Sequence, residues 1–336
     1  MRSLMPSLPG RISLKGNIRL AAIAQPSYLQ AQAALLSSGQ SSTLSLTGLS
    51  EALIDMGAGE NMLEYGHKGV FTNGRFYYLG GPHSNGINQV FLEYIESTNT
   101  IARITAPSSG YTLHGYDHCT ADTSGNVYTR RTNTNVFDKF NGSSWANSIP
   151  NNSFMSAAGE PACGFDYSPT RNALLAFDDT AGLTQHVLGA GAWTQLATAA
   201  SFTGLAGSFH FVVVAHRNND TVWIQDGSGN NHHWRLNANN TITTLATPPI
   251  NLGCSGAGGK YSFHDVGSGK FIVQDPATNH IWEFDLANDS WVDKGVKMDM
   301  NNAAVEGLVI AVPAYGCAIY IAVHDGTPPQ AVLYKI

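Results

Sequence analysis

A short apolar pattern recurs six times along the 336-residue chain. Each copy is a run of β-branched, aromatic or leucine residues that ends in glycine, aspartate or arginine. The copies read GRFYYLGG (74–81), GNVYTRR (125–131), RNALLAFDD (171–179), DTVWIQDG (220–227), GKFIVQDP (269–276) and CAIYIAVHDG (317–326). Their central residues lie 47 to 51 positions apart, at Phe76, Val127, Leu174, Val222, Phe271 and Ile319. Periods of this length are typical of β-propellers, in which each repeat forms one blade.

Each repeat divides into four strand-like segments. In the fifth repeat these are KYSFHDV (260–266), FIVQD (271–275), HIWEFDL (280–286) and SWVDKG (290–295). Glycine, proline, asparagine and aspartate lie between them, and these residues favour turns between strands. The pattern therefore predicts one four-stranded antiparallel sheet for each repeat.

Aromatic residues recur at one place in the third and fourth segments. An aromatic residue on the third segment precedes a large apolar residue on the fourth, as in Phe284 and Trp291, Tyr94 and Ile101, and Phe140 and Trp145. Trp193 holds the same place in the third repeat. We expect these side chains to pack between neighbouring blades, where burial of apolar area stabilises the ring.

The last repeat contains only three strand patterns. An additional pattern, SSTLSLTGL (41–49), precedes the first repeat and can supply the missing outer strand. Such a closure removes exposed sheet edges. Residues 1–40 would then lie outside the ring as an arm, with a short helix at SYLQAQAALL (27–36) after Pro26. The arm is expected either to dock onto a neighbouring protein or to pack against a blade.

The chain is thus predicted to be all-β, a six-bladed β-propeller closed by an N-terminal strand that completes the last blade. Residues 1–40 form the arm and residues 41–336 the propeller. The expected blades cover about 60–109, 110–157, 158–204, 205–253, 254–301, and 302–336 together with 41–49.

Three motifs refine this assignment. Gly80 and Gly81 follow a strand, FDYSPTRNALLAF (165–177) reads as strand, turn and strand, and NGSSW (141–145) and NDSW (288–291) end their blades alike. In these motifs the chain resembles the kelch type of β-propeller over residues 60–336. The resemblance implies a kelch-like ring with a loop face available for binding.

The composition of the chain limits the classes of partner that it can bind. Charged residues make up only 12% of the chain, and the formal net charge is −6. A nucleic-acid-binding surface would be basic, so no nucleic-acid partner is expected. No apolar run is long enough for a transmembrane helix, and Arg11, Lys15, Asn17 and Arg19 interrupt the N-terminal apolar stretch. We therefore expect no membrane insertion and no secretory signal.

We expect ligands to bind on the face that collects two kinds of loop, those between blades and those between the second and third strands. These loops converge at the channel mouth. The candidate binding residues are His67 on an inner strand and, on these loops, His83, His114, Asp117, Asp226, His232 and His324.

A metal site or another cofactor is not expected. His67 and His118 each lie nine residues before the centre of their repeat, which places them at one level of the inner strands, and Cys163 or His210 would be a third ligand. Metal sites generally need three or four ligands. We interpret the histidines instead as hydrogen-bonded to backbone or water. The four cysteines lie in different repeats without CxxC spacing and are expected to be buried thiols, with disulfides or metal ligation as alternatives.

The only catalytic candidates lie around YTLHGYDH (111–118). Tyr116 and His118 could exchange protons in β-elimination of a uronate-containing polysaccharide, while Arg130 and Arg131 neutralise its carboxylate. Some polysaccharide lyases are propellers, so the resemblance is one of fold and residue type. Hydrolysis would need two facing carboxylates, but Asp178, Asp179, Asp226 and Asp275 occupy ordinary turn positions.

Three functions from different classes remain open. The sequence favours a non-catalytic structural or recognition propeller, such as a bacteriophage tail or baseplate component in the virion that contacts protein subunits or a surface glycan. The alternatives are a polysaccharide lyase and a kelch-like adaptor that binds a protein partner. The alternatives to the virion are an extracellular or a cytoplasmic location.

Overall fold

The computed structural model describes residues 26–57, 60–63, 68–80, 90–105, 119–130, 135–155, 163–205, 211–226, 231–252, 262–275, 278, 280–297, 306–323 and 328–336. Six four-stranded antiparallel sheets form a ring, and the fold is a six-bladed β-propeller, as predicted. Neither helix in the described part of the chain is long and apolar enough to cross a bilayer.

The first half of the chain holds the N-terminal elements and three blades. The N-terminal elements are α1 Tyr28–Ala34, β1 Ser41–Leu44, α2 Glu51–Ile54, β2 Asp55–Gly57 and β3 Glu60–Asn61. Blade 1 contains β4 Val70–Thr72, β5 Arg75–Gly80, β6 Val90–Ile95 and β7 Thr100–Ile104. Blade 2 contains β8 Thr120–Ala121, β9 Val127–Arg130, β10 Phe137–Phe140 and β11 Trp145–Ala146. Blade 3 contains β12 Gly164–Ser168, β13 Ala173–Asp178, β14 Gly182–Val187 and β15 Thr194–Ala197.

The second half holds the other three blades. Blade 4 contains β16 Val212–Ala215, β17 Val222–Gln225, β18 His233–Leu236 and β19 Ile242–Thr244. Blade 5 contains β20 Phe263–His264, β21 Phe271–Gln274, β22 His280–Asp285 and β23 Ser290–Lys297. Blade 6 contains β24 Glu306–Val312, β25 Cys317–Val323 and β26 Gln330–Lys335. Short 3₁₀ turns lie at Ala199–Ser201 and Pro313–Tyr315. The central residues of all six repeats fall on the second strand of their blades, so the apolar period locates each blade correctly.

The ring closes through its N-terminal strand. β1 pairs antiparallel with β26, from Ser41 opposite Tyr334 to Leu44 opposite Ala331. The sheet order of blade 6 is therefore β1, β26, β25, β24. This confirms the predicted closure, in which a strand from before the first repeat completes the last blade.

Helix α1 packs where blade 6 meets blade 1. The Ser27 hydroxyl caps the helix by accepting a hydrogen bond from the Gln30 N–H at 3.1 Å. Leu29 and Ala33 are buried in the apolar cluster shared by these two blades. The predicted short helix is confirmed. Of the predicted arm at residues 1–40, residues 26–40 are described and include α1, and residues 1–25 lie outside the described residues.

The outer seams between blades use tryptophan repeatedly. The indole N–H groups of Trp145, Trp193 and Trp234 each donate to a backbone carbonyl that follows the preceding blade's last strand, at Thr105 (2.9 Å), Pro150 (2.7 Å) and Thr203 (3.2 Å). The aromatic pairs noted in the sequence are direct cross-strand partners, namely Phe284 with Trp291, Tyr94 with Ile101 and Phe140 with Trp145. These side chains belong to or pack against clusters that span neighbouring blades, as predicted.

Candidate functional site

The first strands of the six blades, β4, β8, β12, β16, β20 and β24, line the central channel. One carboxylate, that of Asp166 on β12, is completely buried there. An ionised carboxylate in such surroundings requires several hydrogen-bond donors. The neighbouring inner strands supply them.

Asp166 joins four blades. Its Oδ2 lies 2.9 Å from Lys68 Nζ of blade 1 and accepts the Ala215 N–H of blade 4 at 3.0 Å. Its Oδ1 accepts the Thr120 hydroxyl of blade 2 at 2.8 Å. Arg217 Nη2, which follows β16, reaches the two oxygens at 3.1 and 3.0 Å. A single side chain of blade 3 therefore ties blades 1, 2 and 4 together.

Two cations share this carboxylate. Burial alone would raise the pKa of Asp166, but the charges of Arg217 and Lys68 and the hydrogen bonds hold that pKa well below its usual range. Burial lowers the pKa of Lys68 to about 8, against the opposite pull of Asp166. At neutral pH the three groups are charged, and together they carry one net positive charge. We call Lys68, Asp166 and Arg217 the axial cluster.

A cavity of about 160 Å³ opens beside the axial cluster. Its wall includes Lys68, the end of β4 at Thr72, and residues of the turns between first and second strands, such as Asp122, Pro169 and Arg217. These turns lie at the end of the channel opposite to the loops on which the sequence placed the binding face. The cavity therefore opens at the other mouth of the channel.

Two histidines flank this mouth. The rings of His216 and His264 lie with centroids 3.9 Å apart, and His264 Nδ1 accepts the Arg217 N–H at 3.4 Å. Burial lowers the pKa of His264 to about 3, and His216 and Arg217 act in the same direction. His264 is thus neutral at physiological pH, which suits its position beside the cationic Arg217.

Most of the sequence-predicted site lies outside the described residues. This applies to His67, His83, His114, Tyr116, Asp117, His118, Arg131 and His324. The described members are Arg130, Cys163, Asp226 and His232. The predicted binding face and catalytic candidates therefore stay predictions.

The described members lie on the predicted face. Asp226 is fully buried after β17, and its Oδ2 is 3.8 Å from Nδ1 of His232, whose side chain is 40% exposed. Arg130 is buried at the end of β9, and Cys163 is buried before β12 with its thiol donating to the Gly164 carbonyl at 3.2 Å. The structure brings Asp226 and His232 together as a pair.

Two of the aspartates considered for hydrolysis, Asp178 and Asp275, accept hydrogen bonds within turns. Asp178 Oδ1 accepts the N–H groups of Thr180 at 2.9 Å and Ala181 at 2.5 Å. Asp275 Oδ2 accepts the Thr278 hydroxyl at 2.6 Å. These contacts agree with the interpretation of both residues as turn residues.

Metal ligation has no geometric support in the described residues, where no three His, Cys, Asp or Glu side chains are grouped to hold an ion. Cys119, Cys163 and Cys317 are buried, as expected, and none of the three forms a disulfide. Of the weak metal candidates, His67 and His118 lie outside the described residues.

Sequence reasoning missed the axial cluster. Asp166 is part of the quoted motif at 165–177, and Lys68 follows a histidine that was singled out. The available signal was a lone aspartate within an otherwise apolar first strand, since a charge that faces a channel needs a partner. The sequence does not show which cations from other blades would meet it.

Comparison with known proteins supports the fold only. No protein-family model matches the chain, and no curated protein matches it in sequence. It is similar to a structural genomics protein of unknown function from Bacteroides thetaiotaomicron, with a TM-score of 0.57 and 9% identity over 88% of this chain and 76% of that one. It also aligns with a virginiamycin B lyase from Staphylococcus aureus (TM-score 0.45, 10% identity, 88% of each chain) and with a streptogramin B lyase (TM-score 0.45, 9% identity, 87% and 97%).

At these identities the comparisons transfer no activity to this chain. Membership of the kelch type stays a prediction, because it rests on the sequence motifs alone.

Proposed function

We propose that the protein is a non-catalytic structural and recognition propeller. It would serve as a component of a larger assembly and contact protein subunits or a surface glycan. The observation that carries the proposal is the axial cluster. There Lys68, Thr120 and Arg217, from three different blades, bind the Asp166 carboxylate of a fourth blade. The described charges of the channel therefore stabilise the ring.

A rigid ring is what a recognition platform requires, because sites on rigid elements keep their geometry. Two devices support rigidity here, the axial cluster at the centre and the pairing of β1 with β26 at the circumference. With the centre committed to structure, the rim and the loop faces are the surfaces left for contact with partners.

We further propose that the assembly is a virion, with the protein near a bacteriophage tail or baseplate. The support is indirect. Only 12% of the residues are charged, so the surface is rich in neutral polar groups suited to protein or glycan contact. Helix α1 is fixed on the ring between blades 6 and 1, so the chain that precedes it starts from a defined point.

The test is to look for the protein in purified particles by mass spectrometry and to locate it by electron cryomicroscopy. We expect copy numbers that match a symmetric tail or baseplate, and retention of the protein after a high-salt wash. Absence from salt-washed particles would contradict the virion assignment.

The two alternatives make different predictions. A polysaccharide lyase would generate unsaturated uronates that absorb in the ultraviolet, and His118→Ala or Tyr116→Phe would abolish that signal. Such a result would replace the present proposal. An adaptor would retain a cellular protein in a pull-down, and substitutions on the loop face would release it.

A further inference from the structure

An open groove of about 490 Å³ lies between blades 1 and 2, away from the channel. Blade 1 contributes Glu93 of β6 and Thr105 after β7, and blade 2 contributes Phe140, Ser144 and Trp145. Small-molecule sites typically measure roughly 300–1,000 Å³. The groove is therefore large enough for a ligand and separate from the axial cluster.

Trp145 presents an aromatic surface that is already oriented. Its indole N–H donates to the Thr105 carbonyl at 2.9 Å. Its ring contacts Phe91 and Phe140 with centroids 4.8 and 5.1 Å away. The side chain is only half-buried, and the part of the ring that these contacts leave uncovered lines the groove. A ligand can stack there without the cost of ordering a mobile side chain.

Glu93 lines the same groove as Trp145. Its Oε1 forms an ion pair with Arg75 and accepts the Tyr77 hydroxyl at 3.0 Å. Burial, followed by the hydrogen bond to Glu93, raises the pKa of Tyr77 to about 12, so the phenol remains a donor at neutral pH. No side chain or backbone group in the described residues donates to Oε2 of Glu93. Oε2 is thus a fixed acceptor for a ligand.

Hydroxyl groups line the side of the groove formed by the turn between β10 and β11. Asn141 Oδ1 accepts the backbone N–H groups of Ser143 at 3.0 Å and Ser144 at 2.9 Å, which fixes this turn. Both serine hydroxyls also point to that oxygen, at 2.9 and 3.4 Å. Their oxygen lone pairs remain able to accept from a ligand.

An aromatic face next to a fixed carboxylate and hydroxyl groups is the chemistry that recognises a neutral sugar ring. The C–H face of a pyranose can lie on Trp145, while its hydroxyls donate to Glu93 and Ser144. An anionic group would place a second acceptor against Oε2, and an apolar ligand would leave Oε2 desolvated without a donor. We infer that this groove binds a hexopyranose unit of a neutral saccharide. The inference rests on the proposed recognition function and names its partner class.

The next seam provides an internal comparison. Trp193 donates its indole N–H to Pro150, as Trp145 does to Thr105, and its ring lies 4.7 Å from that of Phe137. Trp193, however, is only 5% exposed. The tryptophan with its hydrogen bond to the preceding blade is thus buried between blades 2 and 3 and partly exposed between blades 1 and 2. Trp193 is therefore a matched control for Trp145.

Glu283 of blade 5 is the matched control for Glu93. Each residue directly precedes the aromatic residue of its third strand, Phe284 in blade 5 and Tyr94 in blade 1. Glu283 pairs with Lys294 at 2.9 Å, on a blade that does not border the groove. Loss of its charge should not affect saccharide binding.

The experiment is a titration of indole-labelled full-length protein followed by NMR. The probes are methyl β-glucopyranoside, methyl β-galactopyranoside, methyl α-mannopyranoside and the disaccharides lactose, maltose and cellobiose. At least one probe is expected to shift the Trp145 indole signal in a saturable way, while the Trp193 signal stays in place. Because Trp145→Ala removes the observed indole, its affinity is measured by titration calorimetry, and it should be at least about tenfold weaker, as expected for truncation of an aromatic anchor. Glu93→Gln should weaken it several-fold, and Glu283→Gln and Trp193→Phe should leave it unchanged.

The inference is wrong if none of the six saccharides shifts the Trp145 signal, or if a folded Trp145→Ala variant binds as well as the parent protein. Should Trp145→Ala not fold, Trp145→Phe in the calorimetric titration and Glu93→Gln in the NMR titration decide the matter, and unchanged affinity in both would overturn the inference. The particle experiments are independent of this result, because the protein can be a virion component whether or not the groove binds sugar.

Discussion

The blades are joined differently at the axis and at the rim. At the axis, Asp166 gathers donors from three other blades, so the joining is electrostatic and shared. At the rim, Trp145, Trp193 and Trp234 each connect only their own blade to the preceding one. Each of these outer seams, which we call rim seams, packs apolar side chains between two neighbouring blades and, among the described residues, involves no third blade.

This difference indicates which contacts between blades can change without affecting the rest of the ring. A group shared by four blades acts as a unit, so its removal affects all of them and its partners are not additive. A rim seam is local, and one seam can open without loosening the others. The exposed Trp145 beside a groove and the buried Trp193 in an otherwise similar seam illustrate this freedom.

The largest effect is expected for Asp166→Ala. This change leaves Lys68 and Arg217 in the channel without their counter-ion, and breaking a buried pair in this way typically costs about 3–5 kcal/mol. Denaturant unfolding of the variant measures the loss. The control is Asp293→Ala, which removes an exposed carboxylate 2.8 Å from His280 and should cost much less than Asp166→Ala, because solvent screens that pair. Equal losses in the two variants would refute a special role for the axis.

A second test compares two rim seams directly. Trp193→Ala removes a buried indole from the cluster between blades 2 and 3 and should cost about 3–5 kcal/mol. Trp145→Ala removes a half-buried indole and should cost about 1–2 kcal/mol, because less apolar area is lost. Thermal and denaturant unfolding measure both. A greater loss for Trp145→Ala would mean that the open seam bears more of the ring's stability than its exposure suggests.

The periodic features of the fold can be predicted from the sequence, because each depends on neighbours within one repeat. Runs of apolar residues place the second strands, and the paired large apolar residues, such as Phe284 and Trp291, face each other across adjacent strands. The closing strand at Ser41–Leu44 is also predictable, because the last repeat lacks a strand pattern.

The site could not be predicted in the same way. The axial cluster joins Lys68 and Asp166, which are 98 positions apart, and the ring geometry alone brings them to 2.9 Å. The groove depends on a difference in exposure between Trp145 and Trp193, which occupy equivalent positions in the sequence pattern. That difference arises from the packing of whole blades.

A third test measures how the folding stability depends on the protonation of His264, near the axis. His264 has a folded-state pKa of about 3 against an ordinary value of 6.5, so the unfolded chain takes up a proton that the folded protein refuses between these values. Stability should therefore fall as the pH is lowered from about 6.5. His216 and Arg217 face the ring and disfavour its charge, while Asp265 acts against them.

His264→Phe should make that fall shallower by at least about 1 kcal/mol, the equivalent of roughly one pKa unit. Unfolding free energies measured between pH 6.5 and 5 avoid the titration of most carboxylates. Trp193→Phe, a rim variant with no titrating group, should keep the slope of the parent protein. An unchanged slope in His264→Phe would show that this histidine does not limit acid stability.

The smallest effect is expected when the axial cluster loses one of its two cations. In Lys68→Met, Asp166 keeps Arg217, Thr120 and the Ala215 N–H, and the surplus positive charge disappears. The lost ion pair and the relieved desolvation of an ammonium group oppose each other, so the net change in unfolding free energy at pH 7 should be within about 1 kcal/mol.

The pH dependence of stability isolates the contribution of the Lys68 ammonium group. The pKa of Lys68 is about 8 in the folded protein and 10.5 ordinarily, so between these values the unfolded chain binds more protons and stability should rise with pH. That rise, followed between pH 8 and 10, should be absent in Lys68→Met and present in Lys294→Met, whose ammonium group pairs with Glu283 at the rim. A loss in Lys68→Met as large as that of Asp166→Ala would mean that the carboxylate depends on this lysine rather than on the set of donors from four blades.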